Sequence, residues 1–379
     1  MNATNEVLTK GVENVLPNKE DLGKLMRDKK IRVYLGVDPT GTRLHLGHTI
    51  PMRKLQEFAD LGHEAILLFG TGTVLAGDPS QRMQTRTKIT QEEIDENIKT
   101  WRQQASKVIN FDKVQIKYND DWLLKLTYAD IINIASKISA IQLFKRGMFQ
   151  ERIRRGDTVL THETLYPLFQ GYDSVVMDVD LEIGGTDQTF NMLIGRELQK
   201  KMASRDKYVL STPLILGTNG KPMSKTSGNC IWLDDSPQDM FGKIMSITDT
   251  QIGEYWLNLT DLDPQELKSL KPLNTKKKLA FEIVKMYHGQ QAAQKTQSEF
   301  ESVYQKGELT EYAPEVVTKA RELLEFLKTQ EPSASYAKRL LKEGAVEVDG
   351  QTVKEARALL KNGQLIRIGK KKFVKVVIK

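Results

Sequence analysis

One cysteine, Cys230, stands in a chain of 379 residues, which excludes an internal disulfide framework and a cysteine-built zinc site and implies a reducing compartment. No run of 18 apolar residues occurs, and the opening MNATNEVLTKG has no apolar core. Neither a membrane-spanning helix nor a secretory leader is therefore expected, and the chain reads as cytoplasmic. Histidine is scarce, and three of the five (His63, His162 and His288) share no metal-type spacing, so no protein metal site is expected. The patterns G-x-x-x-x-G-K-[ST], G-x-S-x-G and H-E-x-x-H are all missing. Gly70-Thr71-Gly72 follows a strand, but Leu75 occupies the third glycine's place in a dinucleotide fingerprint. P-loop NTPases, serine hydrolases, zinc peptidases and dinucleotide enzymes are thereby set aside.

Apolar residues make up 39% and there are 12 prolines, as in a globular protein with an ample core, and the length predicts two or three domains. Net charge is +7, but its placement says more. Residues 333–379 hold 12 Lys/Arg against 4 Asp/Glu, leaving 44 against 45 in the rest. So compact a basic tail predicts a polyanionic partner, RNA above all.

Strands are predicted over 31–37, 64–69, 113–118, 178–183 and 208–216, with helices over 47–61, 91–109, 123–137 and 188–202. This alternation predicts an α/β fold, a mostly parallel sheet covered on both faces, with ligands at the carboxyl ends of its strands. Residues 236–330 carry helical periodicity with little strand signal, as in Met240/Ile244, Leu279/Ile283/Met286 and Val317/Leu323/Leu327. Lys276-Lys277-Lys278 reads as a solvated helix face. Glu331-Pro332-Ser333 breaks the helix. The tail then predicts a basic helix over Ser335 to Leu341, a strand over Ala345 to Val348 and a last pair of strands, 365–368 and 373–378.

The chemistry gathers around Tyr34 to His48, YLGVDPTGTRLHLGH. An apolar strand runs into a polar turn and then a helix start, where unpaired N–H groups and the helix dipole favour an anion. His45 and His48, at i and i+3, share one side of that start. Read without context, they fit helix capping equally well. Gly184-Gly185-Thr186-Asp187-Gln188 is a second turn directly after a strand. Gly220-Lys221-Pro222-Met223-Ser224-Lys225-Thr226-Ser227-Gly228 is a Lys/Ser/Thr/Gly loop suited to closing over a triphosphate.

His45-Leu46-Gly47-His48 resembles the HIGH signature of class I aminoacyl-tRNA synthetases, and Met223-Ser224-Lys225-Thr226 most of their KMSKS loop. Tyr34 to Thr40, Gly77-Asp78-Pro79-Ser80, Gln170-Gly171-Tyr172-Asp173 and Gly184 to Gln188 resemble tyrosyl-tRNA synthetases. The tail resembles the S4 RNA-binding domain of bacterial members. The resemblance covers nearly the whole chain in order. Pro222 stands where the motif's first lysine is usual, with Lys221 one place earlier, and Thr189-Phe190-Asn191 replaces Trp-Gly-Asn.

The resemblance implies a Rossmann-like doubly wound domain over 1–220 with a dimer-forming insertion, a helical anticodon-binding domain over 221–330 and an S4 module over 332–379. It implies activation of tyrosine by ATP and transfer to the 3′-terminal adenosine of a tRNA, in a homodimer. Thr40, His45, His48 and Lys225 would act on the phosphates. Gly36, Asp38, Gly47, Gly185, Asp187, Met223 and Ser224 would hold the nucleotide, with Arg82 and Arg86 on the pyrophosphate side. Tyr34 and Asp173 would take the substrate phenol, Asp78, Tyr166 and Gln170 its ammonium, and Gln188 its carboxylate. Tyr166, Gln170 and Asp173, at i, i+4 and i+7, share one helix face. Mg²⁺ would ride on the ATP phosphates. Lys338, Arg339, Lys342, Lys370, Lys371 and Lys372 would contact RNA. A tryptophanyl enzyme, an RNA-binding protein with a decayed core and a small-molecule adenylate-forming enzyme are the rival readings.

Overall fold

Val33, Tyr34 and Leu35 are all buried, as expected of a strand covered on both faces. That strand lies inside a six-stranded sheet in the computed structural model, which describes residues 3–78, 89–223, 227–305, 315–331, 333–369 and 372–378. The strands are β1 (Asn14–Leu16), β2 (Arg32–Val37), β3 (Glu64–Phe69), β4 (Val114–Tyr118), β5 (Leu181–Gly185) and β6 (Tyr208–Thr212), in the order β1-β6-β5-β2-β3-β4. β2 pairs in parallel with both β3 and β5, β3 with β4, and β5 with β6, while β1 runs antiparallel along β6. The expected α/β, Rossmann-like sheet is present. Two strand ends moved for local reasons. β5 starts at Leu181 because Asp178 turns left-handed (φ 49°) to end the preceding helix. β6 stops at Thr212 because Pro213 has no N–H to extend the ladder.

The chain leaves β2 for β3 on one side and later returns to β5 on the other. The order reverses at β2, so the ligand crevice of such a sheet opens at the carboxyl ends of β2 and β5. The helix Leu46–Asp60 packs on β2, β3 and β5. The helices Thr161–Met177 and Thr189–Ala203 pack closely on each other, the second also on β5 and β6. They approach at two glycines: a Cβ on Gly171 would lie 2.9 Å from the Cα of Gly195.

Between β4 and β5 the chain makes four short helices, Asp120–Leu123, Tyr128–Ala135, Ala140–Phe144 and Gly147–Arg155, so the predicted helix over 123–137 is two helices with a break. Ile134, Ile138 and Leu143 pack inward on Leu168, Ile194 and Leu198. Leu124, Tyr128, Ile132, Ile141 and Ile153 remain outside, Tyr128 at 81% exposure. After the sheet, Pro237–Ser246, Ile252–Leu259 and Pro272–His288 bury Met240, Ile244, Tyr255, Leu279 and Ile283 among themselves, as the periodicity predicts.

Compactness divides the chain into residues 1–293 and 294–379. In the second unit, β7 (Glu315–Thr318), β8 (Val346–Val348), β9 (Gln351–Thr352), β10 (Leu365–Ile368) and β11 (Lys372–Ile378) form a sheet in the order β7-β11-β10-β8-β9. The periodicity places Val317 on a helix. It lies instead on β7, whose β-branched Val316, Val317 and Thr318 pair in parallel with β11. Leu323, Phe326 and Leu327 share one core with Leu340, Leu341, Ile366 and Val376. Residues 221–293 therefore fold with the large sheet, and 315–331 with the basic tail. Among the described residues no helix is long and apolar enough to cross a membrane.

Candidate active site

A pocket of about 300 Å³ opens where the switch point predicts, and the carboxyl end of each parallel strand supplies part of its wall. Asp38 follows β2, Gly70 follows β3, Asn119 follows β4, Asp187 follows β5 and Pro213 follows β6. Tyr34, Gly36, Thr40, His45, Gly47, His48, Asp78, Tyr166, Gln170, Asp173, Gly185, Gln188 and Met223 line it as well. Of the described candidates for the catalytic, ATP and tyrosine roles, all meet in this one space. Ser224, Lys225, Arg82, Arg86, Lys370 and Lys371 lie outside the described residues.

At one end of the pocket is the His-Leu-Gly-His turn. His45 caps the helix Leu46–Asp60, and its backbone N–H donates to Nδ1 of His48 at 3.1 Å. That bond leaves Nδ1 without a proton, so a neutral His48 carries its proton on Nε2 and presents a donor there. The two rings lie 3.7 Å apart. A Cβ on Gly47 would lie 3.0 Å from Nδ1 of His45, so a side chain there would press on that ring. The capping reading of these histidines is compatible with the functional one, since the capping geometry is what aims the rings.

The turn is held from outside by residues that sequence reasoning missed. On the helix Gln91–Ala105, Asn97 donates to the Pro39 carbonyl at 2.8 Å and Trp101 Nε1 donates to the Gly41 carbonyl. From the same helix, Gln104 accepts from the Leu44 N–H and donates to the Thr42 carbonyl, both at 2.8 Å. The Leu46 N–H donates to the Ile231 carbonyl and the Leu233 N–H to the Leu44 carbonyl, so the segment after the Lys225 loop is paired to the histidine turn. At that loop's base, the Asn229 amide donates to the carbonyls of Lys221 (3.1 Å) and Pro222 (3.0 Å). Pro222 itself lines the pocket.

At the other end, Asp173 is buried and accepts from Trp122 Nε1 at 2.8 Å and Asn119 Nδ2 at 3.1 Å. Burial pushes its carboxyl well above the usual range, and those two donors work against that. The Tyr34 hydroxyl lies 2.9 Å from Ser174 Oγ, so Tyr34 and Asp173 are each held by separate partners. Tyr166 donates to Asp38 at 3.0 Å, and burial with the nearby Asp38 and Asp78 charges raises its phenol well above the ordinary value. Asp38 also accepts from Thr73 at 2.8 Å, and Gly70 must be glycine because a Cβ there would meet the Asp38 carboxylate at 1.9 Å. Gln188 donates to Asp78 at 2.8 Å. The buried Arg146 of the insertion stands 3.6 Å from Asp78. Asn119, Trp122, Arg146 and Ser174 carry no local signal, because each reaches the site only through the fold.

A larger cleft, about 890 Å³, lies beside Leu214 and is lined by Glu6, Glu13, Glu254, Asp261 and Asp263 against Lys10. Five carboxylates make it hostile to an anionic nucleotide, and the smaller pocket is the chemical one. In the second unit Lys338, Arg339 and Lys342 are exposed on the helix Ala334–Lys342, and Lys372 opens β11.

A Rossmann-like sheet with a donor-lined helix start at one end of the pocket and buried polar groups at the other describes a nucleotide-dependent ligase of class I type. The family described as tRNA synthetases class I (W and Y) matches residues 26–305. A tyrosine–tRNA ligase of Thermotoga maritima is 38% identical over 386 residues, covering 98% of this chain and 96% of the relative. Tyrosine–tRNA ligase 2 of Vibrio cholerae is 38% identical and covers 98% of each chain. In fold the chain is similar to a C-terminally truncated mitochondrial tyrosyl-tRNA synthetase of Aspergillus nidulans (TM-score 0.69, 20% identity, 80% of this chain and 95% of that one). It is also similar to the Archaeoglobus fulgidus tyrosyl-tRNA synthetase complexed with L-tyrosine (TM-score 0.64, 22% identity, 78% and 98%). The chain belongs to the tyrosine–tRNA ligases, within the class I synthetases for tryptophan and tyrosine.

Proposed function

We propose that this pocket carries out both steps of tyrosine–tRNA ligation, with ATP, tyrosine and tRNA as substrates. The tyrosine carboxylate attacks the α-phosphorus of ATP, the bond to the pyrophosphate oxygen breaks, and its electron pair leaves with pyrophosphate. A ribose hydroxyl of the tRNA 3′-terminal adenosine then attacks the carbonyl of tyrosyl-adenylate, and AMP leaves. Neither step needs a side-chain nucleophile, so catalysis rests on positioning and on donors aimed at the phosphates. Thr40, His45 and His48 supply these from the helix start, joined by Lys225 and Ser224 and, on the pyrophosphate side, Arg82 and Arg86.

The observation that carries the tyrosine assignment is the buried Asp173 beside Tyr34 at the closed end of the pocket. A phenol satisfies these polar groups; the side chain of phenylalanine leaves them desolvated and unpaired. Asp78, Tyr166 and Gln170 hold the substrate ammonium, Gln188 its carboxylate, and Gly36, Asp38, Gly47, Gly185, Asp187 and Met223 the nucleotide. Mg²⁺ travels with the ATP phosphates, liganded by them and by water. The neighbouring carboxylates Asp38 and Asp78 already accept from Thr73, Tyr166 and Gln188.

The exposed apolar residues of the insertion, Leu124, Tyr128, Ile132, Ile141 and Ile153, support a homodimer through that face. The helices within 221–330 read as the anticodon-recognising part, with residues 315–331 packed into the tail's core. Lys338, Arg339, Lys342 and Lys370 to Lys372 give the tail a salt-dependent grip on tRNA. A cytoplasmic location fits the single cysteine. Amino-acid-dependent ATP–pyrophosphate exchange, run over the twenty amino acids, tests the assignment: exchange is expected with tyrosine, and exchange with tryptophan instead would reassign the substrate.

A further inference from the structure

Behind the closed end of the pocket lies an ion pair that the reaction as described does not use. Lys207, just before β6, is fully buried against Glu182 of β5, itself 2% exposed on its side chain. Lys207 Nζ also donates to Ser174 Oγ at 2.5 Å, and Ser174 Oγ lies 2.9 Å from the Tyr34 hydroxyl. On its other oxygen, Glu182 accepts from Gln170 Nε2 at 3.1 Å. Space for the lysine is reserved by Gly195, where a Cβ would lie 2.7 Å from Nζ.

We propose that Lys207 and Glu182 are positioning residues for tyrosine recognition, acting on Tyr34 through Ser174 and on Gln170 directly. This rests on the tyrosine reading above and adds to it the means by which two of its side chains are oriented. A buried ion pair is a poor source of stability compared with well-packed apolar groups, so its place against two recognition side chains calls for another account.

The Gln170 arm is a matter of hydrogen-bond polarity. A carboxylate can only accept, so the Gln170 amide must turn its NH₂ to Glu182 and its Oε1 the other way. Gln170 lines the pocket, and its Oε1 is buried without a hydrogen-bond partner, an acceptor held ready for the substrate ammonium. Lys207 is the cation that holds the Glu182 carboxylate in place there. Without Lys207, Glu182 loses the partner that holds its carboxylate against Gln170, and the amide can turn its NH₂ toward the substrate instead. On the Tyr34 arm, Lys207 occupies one acceptor site of Ser174, and the serine in turn fixes where the Tyr34 oxygen sits. One charge pair thus orders both the phenol end and the ammonium end of the amino-acid site.

Pyrophosphate exchange by the full chain tests this. The parent is measured first with tyrosine; no exchange there overturns the tyrosine reading itself. The double variant K207M/E182M removes both charges and leaves apolar groups of similar size. If the pair positions the site, this variant melts near the parent, KM for tyrosine rises about tenfold or more, and KM for ATP stays within about twofold. Its preference for tyrosine over phenylalanine falls by a similar factor. A purely structural pair predicts that KM for tyrosine and the preference recover along with the melting temperature, and that result would overturn the proposal. Ser174→Ala, a loss of one buried oxygen, reads the Tyr34 arm alone and decides the matter should the double variant not fold. A lower tyrosine preference with unchanged KM for ATP is expected, and a parent-like preference would overturn the proposal.

Discussion

In the proposed reading substrate choice turns on Asp173, and its surroundings make two predictions. Removing its charge in Asp173→Asn costs about 2–3 kcal/mol of tyrosine recognition, roughly a hundredfold in kcat/KM for tyrosine, with KM for ATP little changed. Burial raises the Asp173 carboxyl well above the ordinary range, against the Asn119 and Trp122 hydrogen bonds. Recognition by the ionised form is then complete above that raised value and lost as the pH falls through it. In exchange assays KM for tyrosine should start to climb at a pH where ordinary carboxylates are still fully ionised, and the Asn variant should lack that limb. At this scale the histidine turn and the Gly-Gly-Thr-Asp-Gln turn were readable because their residues are contiguous. Asn97 and Trp101 were not readable, since they act on Pro39 and Gly41 from 58 and 60 residues away. Ser174 beside Asp173 resembles any small helical residue until the sheet brings Tyr34 against it.

Among the elements, the helices Thr161–Met177 and Thr189–Ala203 cross at Gly171 and Gly195. A Cβ on Gly171 would meet the Gly195 backbone at 2.9 Å, so Gly171→Ala should lower stability by about 1–3 kcal/mol in denaturant melts. Gly242, on the helix Pro237–Ser246, has nothing within 4 Å of a Cβ, and Gly242→Ala should raise stability by about 0.5–1 kcal/mol. If the two substitutions had equal effects, close approach would not be the reason for Gly171. The strands and the long helices were legible because alternation and the 3.6-residue period survive where one face is buried. β7 was not, because four residues give no period and its pairing partner β11 lies about sixty residues on. The insertion's break after Leu123 was missed for a related reason, as its exposed Tyr128 and Ile132 imitate a core stripe.

For the whole molecule, the compact units dictate how the tail should be tested. Cutting at residue 332 would strip Leu323, Phe326 and Leu327 of their core partners. A truncation after residue 305 removes the whole small sheet. It should leave exchange within about twofold while tRNA charging falls about tenfold or more, most strongly at low salt, where the tail's basic contacts contribute most. Equal loss of both steps would place the tail in activation. Charge placement made the basic tail legible as a separate body, but its border was hidden because 315–331 are not basic and join it only through packing. The central claim, that this pocket selects and activates tyrosine, is tested most directly by pyrophosphate exchange with tyrosine, phenylalanine and tryptophan compared side by side. The account predicts rapid exchange with tyrosine and little with the other two; comparable exchange with phenylalanine, or faster exchange with tryptophan, would contradict it.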